Sequence, residues 1–406
     1  MSADGMLYHM WRIRGYKVTR CETVDRGPVL VTIEATASVV RCPCCGTKDV
    51  IRKGTNPRLF RGPPVGRRPV YFEAAIPRVR CERCQITRQV RIAFAEEKHR
   101  HTRQFERYAL ELARITTTQH AADHLGVSWG TVRDIEVRYL GKKYKKPRLK
   151  DLKQIAIDEI YLGKGMKFRT VVLDLDSGAI VFVGWGKGAE ALDPFWKRLR
   201  GSHAQIEAVA ADMSPAYALA VRKHLPKAVL VNDRFHVIKL YHEMLTELRR
   251  ELYREAKTQL EQDVLKGTRW LLVKRIDNLN DERGEPAKLL QALELNQSLA
   301  TAYYLKDDLN QFWEQRNKAT ASAWLDVWLE DAEKSGIKLL QTFAKTLASR
   351  RNSLLAWYDY PISTGPLEAV NNKIKLCNRQ AFGYRDPEFF QLKLFALHTS
   401  RYALVG

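Results

Sequence analysis

Two kinds of side chain in this 406-residue sequence are spaced for chemistry. The first are thiols. Cys42-Pro-Cys-Cys45-Gly and Cys81-Glu-Arg-Cys84 are two Cys-x-x-Cys knuckles. Each offers two thiolates from one tight turn, and two knuckles complete a closed tetrahedral site of the structural zinc kind. Cys42, Cys45, Cys81 and Cys84 are the expected ligands, with Cys44 as an extra thiol that could compete inside the first knuckle. A closed site leaves no coordination position open for catalysis. Cys21 and Cys377 are expected as small core residues. An odd total of seven cysteines with no export signal argues against a disulfide framework.

The second kind are carboxylates: Asp158 in "KQIAIDEI", Asp212 closing "IEAVAAD", and Glu368 in "STGPLEAVNNKIKL". Acids held close together cost energy unless a cation or proton compensates. Magnesium takes hard oxygen ligands, usually one or two carboxylates, and keeps positions for water and phosphate. Three acids brought together would suit two such ions, Mg²⁺ or Mn²⁺, serving an in-line displacement at phosphorus.

The elements that must position these acids are legible in outline. "KQIAIDEI", "RTVVLDL" and "AIVFVGW" read as a three-strand meander with a turn at Asp176-Ser-Gly178. Then "IEAVAAD" and "AVLVND" alternate with helices, as parallel crossovers require. Three antiparallel strands followed by two β-α units is the strand order of a ribonuclease H-like fold. In that order Asp158, on the first strand, and Asp212, just beyond the fourth, are neighbours. Glu159 alternates to the opposite face, and Asp174 and Asp176 flank a turn for local reasons. Asp233 could cap the following helix, orient His236 or assist the metal site, an auxiliary pair in each case. Ser363 and Thr364 are capping types and Pro366 suits a first helical turn, so a helix runs from about Pro366 to Gln380. Leu367, Val370, Ile374 and Cys377 form its apolar stripe, while Glu368, Asn371, Asn372, Lys373 and Lys375 point elsewhere. Glu368 is then either a third metal carboxylate or a first-turn acid favoured by the helix dipole. Lys375 could meet a phosphate.

The charge is uneven. Residues 1–150 hold 31 Lys and Arg against 14 Asp and Glu, or +17, leaving 37 against 32, or +5, for the rest. A basic front on a more neutral body suits a polyanion, nucleic acid first. "TTQHAADHLGVSWGTVRDIEVRYLGKK" has a helix-turn-helix layout: Thr118–Leu125, a turn at Gly126-Val-Ser128, then a helix from Trp129 to about Leu140 capped by Ser128. Trp129, Thr131, Arg133 and Asp134 would face a major groove, Arg133 being the foremost base or phosphate contact. Lys142, Lys143, Lys145 and Lys146 in "GKKYKKPRLK" would track a phosphate backbone or merely form a solvated linker, and Lys373 joins the DNA-contact candidates. Five tryptophans between residues 270 and 357 are expected in a helical core, or, at Trp270, at a DNA end. No apolar run reaches membrane-span length, and the cytoplasm is the expected compartment.

These ordered blocks ("CPCCG", "CERC", "AADHLGVSWGTVRDI", "RTVVLDLDSGAIVFVGWGKGAEAL", "AADMSPAY", "VNDRFHVIKL", "GTRWLL" and the Glu368 block through "GYRDPEFFQLKL") resemble the ISL-three family of bacterial insertion-sequence transposases over nearly the whole length. The resemblance implies a multidomain α/β protein. Its DDE, ribonuclease H-like core would be interrupted by an α-helical insertion, with Asp158, Asp212 and Glu368 at the catalytic positions. The expected division is a zinc-ribbon-like domain at 1–95, a helix-turn-helix and basic linker at 96–150, core at 151–240, insertion at 241–360 and the rest of the core at 361–406. The expected partners are double-stranded DNA of the terminal inverted repeats and target, and a second copy of the chain, forming a homodimer on DNA. The alternative is a zinc-containing DNA-binding regulator, derived from such a protein, whose body only assembles.

Overall fold

The computed structural model describes residues 3–23, 25, 27–163 and 168–399. The chain divides into two units, one of residues up to Lys145 together with those from Cys377 onward, the other Lys146–Leu376.

The first unit opens with helix α1 (Ala3–Trp11) and a sheet built from β1 (Tyr16–Thr23), β2 (Val29–Ala35), β3 (Ile51–Val65), β4 (Arg68–Cys81) and β5 (Ile86–Gln89). Its path is β1-β2-β4-β3, with β5 also on β4. β3 carries Pro57, Pro63 and Pro64 and lies on the edge, where proline's missing N–H is tolerated. Although "RGPPVGRR" is rich in the Gly and Pro of a bend, it is therefore mostly strand, and the chain reverses at Gly66, whose φ of +59° favours glycine. Phe60, Phe72, Ile33, Val70 and Ile76 fill the core beneath it. Cys21, expected inside, is exposed on β1.

Helices α2 (Arg103–Ala113), α3 (Thr118–Leu125) and α4 (Trp129–Tyr144) follow. Thr102, Thr117 and Ser128 cap them by accepting from backbone N–H groups three residues on, and Gly126 ends α3 in the left-handed conformation. Ala121, Ala122 and Leu125 pack on Val132 and Ile135 across that turn, as the sequence pattern requires.

The second unit holds β6 (Gln154–Tyr161), β7 (Phe168–Asp174), β8 (Ile180–Trp185), β9 (Ala208–Ala211) and β10 (Val229–Asn232) in the order β10-β9-β6-β7-β8. β6, β7 and β8 are antiparallel, whereas β9 and β10 run parallel to β6. Helices α5 (Asp193–Arg200) and α6 (Pro215–His224) bury Phe195, Trp196, Tyr217 and Val221 against its apolar strands. Asp174 accepts from the Asp176 N–H and the Ser177 hydroxyl, which confirms a local turn role.

A helical layer comes next: α7 (Arg234–Glu255), α8 (Gln259–Gly267), α9 (Glu285–Leu295), α10 (Gln297–Gln311), α11 (Lys318–Lys334), α12 (Lys338–Ser349) and α13 (Arg351–Leu355). α7 starts directly after β10, so the boundary expected at 240/241 falls inside a continuous helix. Trp313 and Trp328 are buried and Trp324 and Trp357 partly so, while Trp270 is 66% exposed.

Helix α14 (Gly365–Gln380) and α15 (Pro387–Phe395) close the chain. The residues from 377 onward, expected with the core, join the first unit instead. The reason is a buried contact of α15 with α4. Lys393 Nζ donates to Glu136 Oε1 at 2.6 Å and to the Ala113 carbonyl at 3.3 Å, and Glu136 Oε2 accepts from Thr118 Oγ1 at 2.7 Å.

Candidate active site, zinc centre and nucleic-acid interface

Each cysteine knuckle is a tight turn whose next residue adopts positive φ: Gly46 at +73° and Gln85 at +52°. Gly46 N–H returns to the Cys42 carbonyl at 3.0 Å, and the Gln85 side-chain amide closes the second turn on the Glu82 carbonyl at 2.8 Å. These turns aim four sulfurs at one point. Cys42, Cys45, Cys81 and Cys84 have Sγ atoms all within 4.8 Å of one another, with Cys42–Cys84 at 3.9 Å and Cys45–Cys81 at 3.7 Å. A tetrahedral zinc with Zn–S bonds of ~2.3 Å needs sulfur–sulfur edges of about 3.8 Å. The residues therefore fit a structural zinc ion, and Cys44, exposed, lies outside the set. The Cys45 backbone N–H, above all, pulls the Cys42 thiol down to about 6, whereas burial raises Cys81 and the Cys45 thiol raises Cys84, so that with no cation the four share their protons.

The acidic site is built differently. β6 is the central strand, and its Ile157 stands opposite Ala211 of β9, which stands opposite Asn232 of β10. The next residue in each case is an aspartate, so Asp158, within β6, lies in a row with Asp212 and Asp233, which directly follow the carboxyl ends of β9 and β10. Asp158 Oδ1 accepts the Glu159 N–H at 2.8 Å, and its Oδ2 accepts Asn371 Nδ2 at 2.9 Å. Burial first, then the charge of Asp212, raises its pKa, against the lowering effects of the Glu159 N–H and His236. Asp212 Oδ1 accepts the Ser214 N–H at 2.9 Å, while buried Asn232 holds the Asp212 carbonyl at 3.1 Å.

Asp233 is fully engaged. It caps α7 through Phe235 N–H at 3.3 Å and receives both the backbone N–H (3.2 Å) and the hydroxyl of Thr364. Thr364 immediately precedes α14, so Asp233 fixes where that helix begins. Of the three auxiliary roles open to it, capping is the one observed, and His236 sits close enough to Asp158 to act on its charge. Glu159 accepts from Gly188 N–H at 2.9 Å and Tyr217 OH at 2.6 Å, away from the row.

Glu368 lies in the first turn of α14 and is exposed. Among the described residues, the only group of three or more acidic, His or Cys ligand atoms mutually within 4.8 Å is the cysteine set. The three acids are thus not all within that distance of one another; the charge of Asp212 acts on Asp158, while Glu368 stands exposed on α14. What ties α14 to the row is Asn371, expected to face away but 5% exposed, with its Oδ1 buried and unpartnered. A signal was present: Leu367, Asn371 and Ile374 follow the four-and-three spacing of a buried stripe. Glu368 stands about 4.5 Å back along the axis on the same side. Hard oxygen donors on Asp158 and Asp212 plus an orphaned amide oxygen fit a divalent oxygen-loving cation.

On the helix expected to read DNA, Trp129 is 44% exposed at the start of α4, Thr131 is half-buried and Asp134 exposed. Arg133 is not presented freely. It pairs with Asp134 and Asp386 and lies over the rings of Trp129 and Phe389. Lys142, Lys143, Lys145 and Lys146 are exposed, as are Lys373 and Lys375. No helix among the described residues is long and apolar enough to cross a membrane.

Comparison with known proteins agrees with this organisation. Residues 38–84 match the zinc-finger of transposase IS204/IS1001/IS1096/IS1165, residues 90–140 the helix-turn-helix domain of transposase family ISL3, and residues 155–394 the DDE domain of that family, described as Transposase. The transposase for insertion sequence element IS1001 of Bordetella parapertussis is 33% identical, over 94% of this chain and 95% of its own length. That for IS1557 of Mycobacterium tuberculosis is 28% identical over 94% and 91%. The Drosophila P element transposase strand transfer complex aligns at a TM-score of 0.40 and 12% identity, covering 74% of this chain and 92% of its own, a likeness too slight to inform the fold. With the zinc, helix-turn-helix and DDE domains matched in order and a relative aligned almost end to end, the chain belongs to the ISL3 family of insertion-sequence transposases.

Proposed function

We propose that residues 151–240 and 361–376 form a ribonuclease H-like core, interrupted by the helices between them, and that this core cuts and joins DNA. The strand order supports the fold, with an antiparallel β6-β7-β8 meander extended by parallel β9 and β10. The observation that carries the activity is the Asn371–Asp158 hydrogen bond, which holds the Glu368 helix against the paired acids. Asp158, Asp212 and Glu368 would hold Mg²⁺ or Mn²⁺. The ions, when bound, supply a nucleophile activated at neutral pH and charge stabilisation for the leaving oxygen.

The chain's own groups prepare the site. Burial and Asp212 together make Asp158 a carboxylate whose charge is costly without a cation. Asp233, by fixing Thr364, sets the start of α14 and hence the position of Glu368. Lys375, exposed one face-repeat beyond Glu368, would meet a DNA phosphate. The helix-turn-helix and zinc ribbon would read the terminal inverted repeats of the element, with two copies of the chain holding two ends as a homodimer on DNA.

The test is cleavage of labelled terminal-repeat duplex by the purified protein with and without Mg²⁺, beside Glu368→Ala. We expect metal-dependent strand cleavage that falls at least about 10²-fold in the variant while DNA affinity is unchanged, since removing a metal ligand forfeits several kcal/mol of charge stabilisation. The exposure of Glu368 favours one second reading, the DNA-binding regulator. Tight binding with no cleavage by either protein would select it. Light scattering showing one protein per paired-end complex would contradict the dimer.

A further inference from the structure

A second basic feature lies in the first unit, apart from the recognition helix. A cavity of about 530 Å³ opens between β3, β4, the 100–101 loop and Val127. Arg58, Arg61, Arg100 and His101 line it beside Tyr71, and no acidic residue among the described ones does. Glu106, the acid that His101 senses, is occupied by Arg138 at 2.6 Å and Tyr139 at 2.9 Å.

Arg61 is the unusual member, 6% exposed. Its Nη atoms donate to the Val70 carbonyl at 3.4 Å and the Leu125 carbonyl at 2.9 Å, and its guanidinium lies 5.0 Å from the Tyr71 ring centroid and 5.6 Å from that of Phe105. Its Nε is buried with no hydrogen-bond partner. A buried guanidinium carries a desolvation cost that an anion would offset, and its unused donor asks for an acceptor. Arg58 is held at the rim by its bond to the His99 carbonyl at 2.9 Å, and Arg100 is exposed there.

We propose that this groove binds a backbone phosphate of duplex DNA, as a second anchor beside the recognition helix. Charge chooses the occupant: three arginines without an acid fit a phosphodiester, and guanidinium forks match its paired oxygens. Position agrees, because Val127 directly precedes Ser128, the cap of α4, so a strand passing the recognition helix continues into the groove. Such a contact fixes register and orientation and carries no sequence information of its own.

The experiment is fluorescence anisotropy of the full-length, zinc-loaded protein with two labelled duplexes, one from the element's terminal repeat and one scrambled. Salt is varied from about 50 to 200 mM, the range in which phosphate contacts dominate the response. Arg100→Gln and the double variant Arg58→Gln/Arg100→Gln are compared with the parent. Removing one arginine–phosphate interaction should make the slope of log K against log salt shallower by about 0.9 and weaken binding about fivefold near 150 mM. Both duplexes should lose affinity equally, leaving their ratio unchanged, whereas Thr131→Ala should change the ratio. Zinc content and unfolding midpoint are read on every variant, and exposed Arg100 supplies a substitution that leaves the core intact. Folded variants with the parent's slope and affinity would overturn the proposal, as would a changed ratio without a changed slope. No cleavage is required, so the outcome is independent of the acid triad.

Discussion

The zinc centre and the acidic site are both sets of negative ligands, yet only one is assembled. Four sulfurs converge because each pair comes from one hydrogen-bonded turn and the pairing of β3 with β4, Ile51 opposite Arg80, sets the two turns side by side. The three acids come from a central strand, its parallel neighbour and a helix some 150 residues further along the chain. Like charges oppose their approach, and a cation or a proton brought between them would reverse that. Closed structural sites are completed by the fold, whereas open reactive sites are left for ions and substrate to complete.

The largest effect that could break this contrast is on the zinc side. Cys81→Ser should abolish zinc stoichiometry and weaken DNA binding by at least about 10²-fold, because the metal's binding energy is folding energy for such a domain. The helical circular dichroism of the second unit should persist, and Cys44→Ser should leave zinc content unchanged. Retained zinc in Cys81→Ser, or zinc absent from Cys44→Ser, would reassign the ligands.

A smaller effect sharpens the other side. Asn371→Ala should reduce cleavage about tenfold, the low end for removal of an outer hydrogen bond to a metal ligand. It should also raise the Mn²⁺ concentration needed for half-saturation, read directly by calorimetry. Unchanged Mn²⁺ affinity would mean that Asn371 only packs.

The smallest concerns Asp158 without metal. Its folded pKa is raised, first by burial, so the protonated form is favoured by folding. That stabilising contribution is complete below the ordinary carboxylate range and is lost as pH rises through the raised value. In EDTA, Asp158→Asn should therefore unfold about 2–4 °C higher than the parent at pH 8, with the gap closing toward pH 4. A lower midpoint at pH 8 would show the carboxylate to be structurally required.

Much of this can be read from the sequence where local rules decide. The knuckles, the helix-turn-helix and the three-strand meander each rest on spacing over a few residues, and the observed elements follow them closely. The row of Asp158, Asp212 and Asp233 is partly legible, since the last two close β-rich segments and Asp158 lies within one, but only the register aligns all three. Burial of Asn371 escapes such a reading because its polar type outweighs its place in the 367–371–374 stripe. The pairing of Arg133 with Asp386 and of Glu136 with Lys393 joins residues about 250 apart in sequence, which no local pattern encodes. The N-terminal β1–β2 pair escapes it too, its exposed polar face giving little alternation to detect.

The passage of α14 across the unit boundary has a practical consequence for anyone dividing the molecule. The polypeptide crosses that boundary twice, at Lys145–Lys146 and again at Leu376–Cys377. A fragment ending at residue 145 would keep Glu136 and Thr118 in the core of its helical domain but lack Lys393, the cation that compensates them. Removing one partner of a buried ion pair costs about 3–5 kcal/mol. An isolated DNA-reading half should accordingly fold poorly by itself and recover when residues 377–399 are fused back to it.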